Sequence, residues 1–240
     1  MTLAISVENL VVARNGRRII DNLSLSFPIA TWTGVIGANG SGKTTLLKAI
    51  AGRLPVEAGR IISSDGQDIS DRQARALSIG FAPDVTSLPG SLTGAEIISL
   101  MSEDHPAPLV AHLPLRKALG IDRLADLRIN AMSSGMRQRI AIYLAFVQKS
   151  NLVILDEPFN WLDPVCTYDV KKALRSLVDE QGLCLITALH DMATLAVYCD
   201  EGVLLADGTV IKRMGDLGGR NSGGALANFE REMIAELRHK

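Results

Sequence analysis

Cysteine is scarce in this 240-residue chain: Cys166, Cys184 and Cys199, an odd number with no C-x-x-C pair. That excludes a disulfide framework and a paired-cysteine metal site, and the three read as reduced thiols of a cytosolic protein. Aromatic residues are few, at 4%, while hydrophobic residues reach 47%, so the composition is globular and rich in aliphatics. No apolar run approaches the roughly 18 residues that a membrane helix needs. The first segment, MTLAISVENLVV, lacks a positive start and carries Glu8 inside its apolar stretch, so it does not read as a signal peptide. Charge excess is also missing. Twenty-five basic residues stand against 26 acidic ones, a net of −1, which argues against a nucleic-acid partner but leaves room for a local basic patch. Transmembrane, secreted, disulfide-framed and disordered readings all fall. A protein held at a membrane by a partner does not.

A chain of this length buries roughly 70–75% of its unfolded surface and needs no staple to hold a core. It has room for one large domain, or for one domain with a small lobe. Two short extended runs in LAISVENLVVAR, the Asn15-Gly16 turn and the alternation of Leu23, Leu25 and Phe27 predict an antiparallel β start that ends at Pro28. Strands are expected near 33–36, 59–63, 78–82, 152–155 and 183–187. Helices are expected near 43–51, 93–127 and 134–149, from Pro164 and from Asp191, with a hairpin around Asp207-Gly208. Thr93 and Glu96 form a capping-box pattern, and Asp163-Pro164 gives an N-cap followed by proline at the first helical position. Apolar strands joined through helices imply a parallel sheet covered on both faces. The expected fold is therefore α/β: a phosphate-loop core, an antiparallel N-terminal β subdomain, and a helical lobe inserted over about 84–130. Residues 1–217 read as the domain. Residues 218–240 read as a GGRNSGG linker and a short amphipathic helix bearing Leu226, Phe229, Met233 and Leu237, for tail packing or for a partner.

Residues 37–45, Gly37-Ala38-Asn39-Gly40-Ser41-Gly42-Lys43-Thr44-Thr45, satisfy G-x-x-x-x-G-K-[ST] between an apolar strand and a helix. The glycines let successive amides face one concavity suited to phosphate oxygens. The helix aims its positive dipole end there, Lys43 adds a full charge, and the Thr44 hydroxyl can ligate Mg²⁺. The second chemical signal is NLVILDE, residues 151–157. Four apolar residues and then two acids describe a buried strand whose carboxyl end meets a site. Asp156 would hold Mg²⁺ and Glu157 would polarise the attacking water. A solvated strand end is the bland alternative, which the neighbouring phosphate loop outweighs.

With these motifs the chain resembles the ATP-binding-cassette (ABC) ATPase family along nearly its whole length. AMSSGMRQR at 131–139 is similar to the family signature, Leu162-Asp163-Pro164 to the loop after the carboxylate strand, and His190 to the switch histidine. Pro83-Asp84 stands where the family usually has proline-glutamine. The resemblance implies ATP and Mg²⁺ as cofactors and a dimer in which ATP lies between one subunit's phosphate loop and the other's signature. Ser133, Ser134 and Gly135 would then meet the γ-phosphate, and Asp163 the facing subunit. His190 would position the water of Glu157, although as a lone residue it also reads as a satisfied histidine at a strand end. Asp156, Thr44 and Asp84 would be the metal-linked residues.

Three positions depart from the family pattern. Arg14 occupies the place of the adenine-stacking aromatic, where a guanidinium plane can stack on a base or point into water. Asp84 replaces glutamine, and it reads either as a metal-linked sensor or as a solvated loop aspartate. Met136 replaces the signature glutamine. The last two resemble a branch that is mostly exporters. The leading function is the ATPase subunit of a transporter, on the cytoplasmic face of the membrane, with a separately encoded permease docked on the helical lobe. The rival is a soluble ABC ATPase of translation or DNA repair. Paired cassettes, a long coiled coil or a zinc insertion would mark that rival, and none is evident in the sequence.

Overall fold

The computed structural model describes residues 2–102, 112–148 and 150–215. The expected tail helix and the prolines at 106 and 108 lie outside these residues. The chain begins with β1 (Leu3–Arg14) and β2 (Arg17–Pro28), an antiparallel pair. Asn15 and Gly16 both take positive φ, 53° and 74°, the geometry of a type I′ hairpin turn. β1 is one strand and not two runs. Its register with β2 shifts between Val7 and Leu10, where Asn9 sits at φ 49°, so the apparent break is an irregularity within a single strand. β4 (Ala58–Ser63) pairs antiparallel on the other side of β1, closing a separate sheet ordered β2-β1-β4.

The second sheet has six strands in the order β5-β6-β7-β3-β8-β9. These are β3 (Trp32–Ile36), β5 (Gly80–Phe81), β6 (Leu152–Asp156), β7 (Cys184–Leu189), β8 (Glu201–Ala206) and β9 (Thr209–Met214). All neighbours are parallel except the β8–β9 hairpin, which turns at Asp207-Gly208 as expected. Side chains alternate between two apolar cores. Trp32, Val153, Leu155, Leu185 and Leu204 pack into the core toward the helical lobe, and Val35, Ile154, Ile186, Val203 and Leu205 into the core toward the antiparallel sheet. Each fully buried aliphatic side chain contributes about 1.5–3 kcal/mol. Trp32 carries a polar handle into this interior, and its indole N–H donates to Thr187 Oγ1 at 2.9 Å.

Helices cover both faces. α1 (Lys43–Ile50) follows β3 directly. α2 (Arg72–Ser78) was not expected from the sequence and is capped by the Asp71 carboxylate. The lobe between β5 and β6 contains α3 (Gly94–Ser102), α4 (Leu113–Ala118), α5 (Ile121–Leu124) and α6 (Ser134–Leu144). Thr93 and Glu96 form the reciprocal capping box at the start of α3, with Thr93 N–H donating to Glu96 at 2.7 Å and Glu96 N–H to Thr93 Oγ1 at 3.2 Å. α6 is shorter than the 134–149 expected and continues as turns from Ala145. α7 (Pro164–Gln181) buries Val170, Leu174, Leu177 and Val178 on the predicted stripe. α8 (Met192–Tyr198) is capped by Asp191.

Candidate active site

The site gathers at the carboxyl ends of three adjacent strands, β6, β7 and β3. The loop after β3 turns into α1 through Gly42, whose φ of 105° is closed to L side chains and so requires glycine. No side chain caps α1. Its first amides therefore carry no side-chain acceptor, the arrangement a phosphate group uses. Lys43 Nζ folds back over the loop and donates to the carbonyls of Gly37 at 2.7 Å and Ala38 at 3.0 Å. Burial pushes the Lys43 ammonium below its usual pKa, while the charges of Glu157 and Asp156 oppose that. Ser41 Oγ is buried with no hydrogen-bond partner among the described residues.

Asp156 ends β6 beside this loop and interacts with the Thr44 hydroxyl. Burial holds its pKa above the usual carboxylate value, against the Thr44 hydrogen bond that lowers it. Its Oδ1 is buried without a hydrogen-bond partner among the described residues. A buried carboxylate oxygen lacking a donor, next to a hydroxyl, is a donor set that fits a hard cation with its waters.

Glu157, one residue further, sits at φ 49°. That left-handed twist turns its side chain toward the end of β7, where Oε1 meets His190 Nε2 at 2.6 Å. Its other oxygen accepts from Asn160 Nδ2 at 2.9 Å. In the sequence His190 is tied to Glu157 only through the family resemblance, and Asn160 carries no signal, since its partner is set by a turn with no glycine to announce it. Arg14, Asn39, Gly40, Gly42, Lys43, Thr44, Thr45 and Glu157 line one recess together with Ile19. Ile19 carried no chemical signal in the sequence, yet it supplies an apolar wall beside Arg14.

Asp84 accepts from the Thr86 amide at 2.9 Å and the Thr86 hydroxyl at 2.7 Å, so it caps the short 3-10 turn Val85–Ser87. These bonds hold its pKa below the ordinary value. Asp84 lines a cleft with Asp156, Glu157 and Asn160. It also lines a more apolar groove with Leu88, Pro89, Ile97, Met101 and Leu144.

Ser133, Ser134 and Gly135 lie elsewhere. Ser133 caps α6 through a bond from the Met136 amide at 3.3 Å, which is the ordinary capping role. Gly135 packs under the carbonyl of Trp161, and Asp163 both caps α7 at 2.9 Å and pairs with Arg139 at 2.7 Å. Ser133, Gly135, Trp161 and Asp163 line a groove that shares no residue with the phosphate-loop recess. The two recesses are thus separate within one chain.

Comparison with known proteins bears on the family and the fold. A family model described as ABC transporter matches residues 20–160. The hemin import ATP-binding protein HmuV of Bordetella bronchiseptica is 31% identical over 86% of this chain and 84% of that protein. The ferric enterobactin transport ATP-binding protein FepC of Escherichia coli is 29% identical over 85% and 79%. The structure of an ATP-binding subunit of an ABC transporter superposes with a TM-score of 0.81, at 24% identity, over 97% of this chain and all of that one. A dimeric bacterial ABC transporter cassette gives 0.77, at 22% identity, over 88% and 98%. Among the described residues no helix is long and apolar enough to cross a membrane. The family match over more than half of the chain and the identity to HmuV along most of its length place it in the ABC transporter family, as an ATP-binding subunit that hydrolyses ATP.

Proposed function

We propose that this subunit hydrolyses Mg²⁺-ATP between two copies and passes the resulting motion to a separate membrane permease. The observation that carries the reading is Glu157, which lines the same recess as the phosphate loop and meets His190 at 2.6 Å. In it Lys43 and the α1 amides bind the β- and γ-phosphates, and Glu157 polarises a water that His190 and Asn160 help to orient. Thr44 and Asp156 would hold Mg²⁺, and Asp84, which lines a cleft with Asp156, would join through a water. When bound, the ion neutralises charge developing on the phosphates. Arg14 and Ile19 would receive the adenine. The second copy's Ser133, Ser134 and Gly135 would close on the γ-phosphate, with its Asp163 against the phosphate loop. The separation of the two recesses within one chain supports this arrangement.

The apolar groove at Leu88, Ile97, Met101 and Leu144 is the proposed seat of the permease, which would keep the subunit on the cytoplasmic face of the membrane. Asp84 borders both that groove and the carboxylate cleft, so it can sense one from the other. The names of HmuV and of other relatives support import over the export suggested by Asp84 and Met136. Relatives named for hemin, ferric enterobactin, cobalamin and sulfate share this subunit type, so the cargo is chosen elsewhere. The test is affinity capture from solubilised membranes of the native host. A copurifying protein with several spans of about 20 apolar residues, able to stimulate ATP turnover, is the expected result. Capture of nucleic acid or ribosomal protein in its place would favour the soluble ABC ATPase.

A further inference from the structure

The Glu157–His190 contact joins two loops that have both left the sheet. Glu157 lies one residue beyond the end of β6 and His190 one beyond the end of β7, so the β6–β7 ladder does not itself hold either side chain. A cation links the two turns in which they sit. Lys171, on α7, places its ammonium 4.8 Å from the ring centre of Phe159 and 5.8 Å from that of Tyr198. The same ammonium donates to Thr194 Oγ1. Thr194 is 1% exposed, and its hydroxyl and amide donate to the two oxygens of Asp191 at 2.8 and 2.6 Å. Phe159 belongs to the turn that Asn160 N–H closes on the Glu157 carbonyl at 3.3 Å, and Asp191 directly follows His190.

We propose that Lys171 is a positioning residue for ATP hydrolysis, fixing the Glu157 turn and the His190 loop at one separation. The inference rests on the reading of Glu157 as the group that polarises water. A lysine suits the task because a compact point charge can attract two ring faces and still direct an N–H at a hydroxyl. It acts on the two turns and the residues at the rim of the core beneath them. The face of α7 that packs inward is Cys166, Val170, Ala173, Leu174, Leu177 and Val178, and loss of the ammonium leaves that face whole. Misplacing a reacting group by about 1 Å can cost on the order of 100-fold in rate without weakening ground-state binding.

The test compares Lys171→Met, Lys171→Arg, Thr194→Val and the double variant Lys171→Met/Thr194→Val in the full-length purified chain. ATP turnover, KM and the Kd of a fluorescent ATP analogue are measured, with thermal melting as the folding control and Glu157→Gln alongside. Lys171→Met should lower kcat about 10- to 100-fold while KM and Kd stay near the parent. Lys171→Arg, which can stack and donate, should recover most of the rate. The double variant should be little slower than the worse single, since both remove one linkage. Parental kcat in Lys171→Met, or Lys171→Arg as slow as Lys171→Met, overturns the proposal. So does a defect carried by KM and Kd alone. Should Lys171→Met not fold, Thr194→Val at the parental rate overturns it equally. A Glu157→Gln variant with near-parental turnover instead overturns the reading beneath the proposal, which separates the two failures.

Discussion

The carbonyl oxygen of Trp161 lies 2.6 Å from the point a β-carbon on Gly135 would occupy. The signature segment and the loop before α7 are therefore in backbone contact, and only glycine fits between them. Gly135→Ala should displace one from the other and, on the two-copy reading proposed above, misalign the half-site offered to the second copy. Turnover should fall at least about 10-fold, as expected of a small displacement at a reacting centre. ATP affinity of the single chain should hold, because the phosphate-loop recess shares no wall with this groove. Parallel measurement of kcat and of Kd for a fluorescent ATP analogue checks this. Loss of affinity with unchanged kcat would place Gly135 in the wrong half-site.

Glu157→Gln keeps the shape of the side chain and removes its charge. Removal of one general base costs typically about 10²–10⁴ in rate. The variant should still bind ATP and, unable to hydrolyse it, should elute as a dimer on size-exclusion chromatography with ATP present. A monomer under those conditions, with ATP bound, would speak against the two-copy site.

Arg14 and Ile19 form one wall of the recess that holds the phosphate loop. If adenine lies on that wall, Arg14→Ala should weaken ATP binding by about 1–3 kcal/mol, the range of a base-stacking contact. Arg14→Tyr should recover much of the loss. Isothermal titration of the three proteins decides it, and equal affinities would move the base elsewhere.

Asp84 gives a prediction with a sign. Thr86, through its hydroxyl and its amide, holds the Asp84 carboxyl below its unfolded value of 3.8. The stability gained is fully present above that value and is lost as pH falls below it toward the folded value. The melting-temperature advantage of the parent over Asp84→Ala should therefore narrow on acidification through this range. The same variant should need more Mg²⁺ for half-maximal turnover and lose stimulation by the membrane partner. Unchanged Mg²⁺ dependence with full stimulation would leave Asp84 only its capping role.

How much of the molecule was legible in the sequence depends on how local each signal is. GANGSGKTT and NLVILDE state their chemistry in consecutive residues, and the structure brings both to the carboxyl ends of β3 and β6, on either side of β7. Thr93–Glu96 and Asp163-Pro164 are equally local and form the expected caps. α2 stayed hidden because its one buried side chain is Arg75, which reads as solvated. In the fold its guanidinium donates to the carbonyls of Ala49 and Ile69, both at 3.2 Å, and to that of Ser70, all distant in pattern from a helical stripe. The left-handed backbone at Glu157 and Trp161, φ 49° and 70°, has no glycine to mark it. Ile19 and Asn160 gain meaning only from their neighbours in the tertiary fold.

The strand order β6-β7-β3 places two interstrand gaps between the acid that ends β6 and the loop that follows β3. Each gap is about 4.8 Å and is maintained by main-chain hydrogen bonds, not by side chains. That interval acts as a gauge set by the main chain. Nucleotide-linked motion is then expected off the gauge, in the helical lobe hung between β5 and β6. Amide hydrogen exchange would then divide the molecule into a slow floor at β3, β6 and β7 and a faster, nucleotide-responsive lobe.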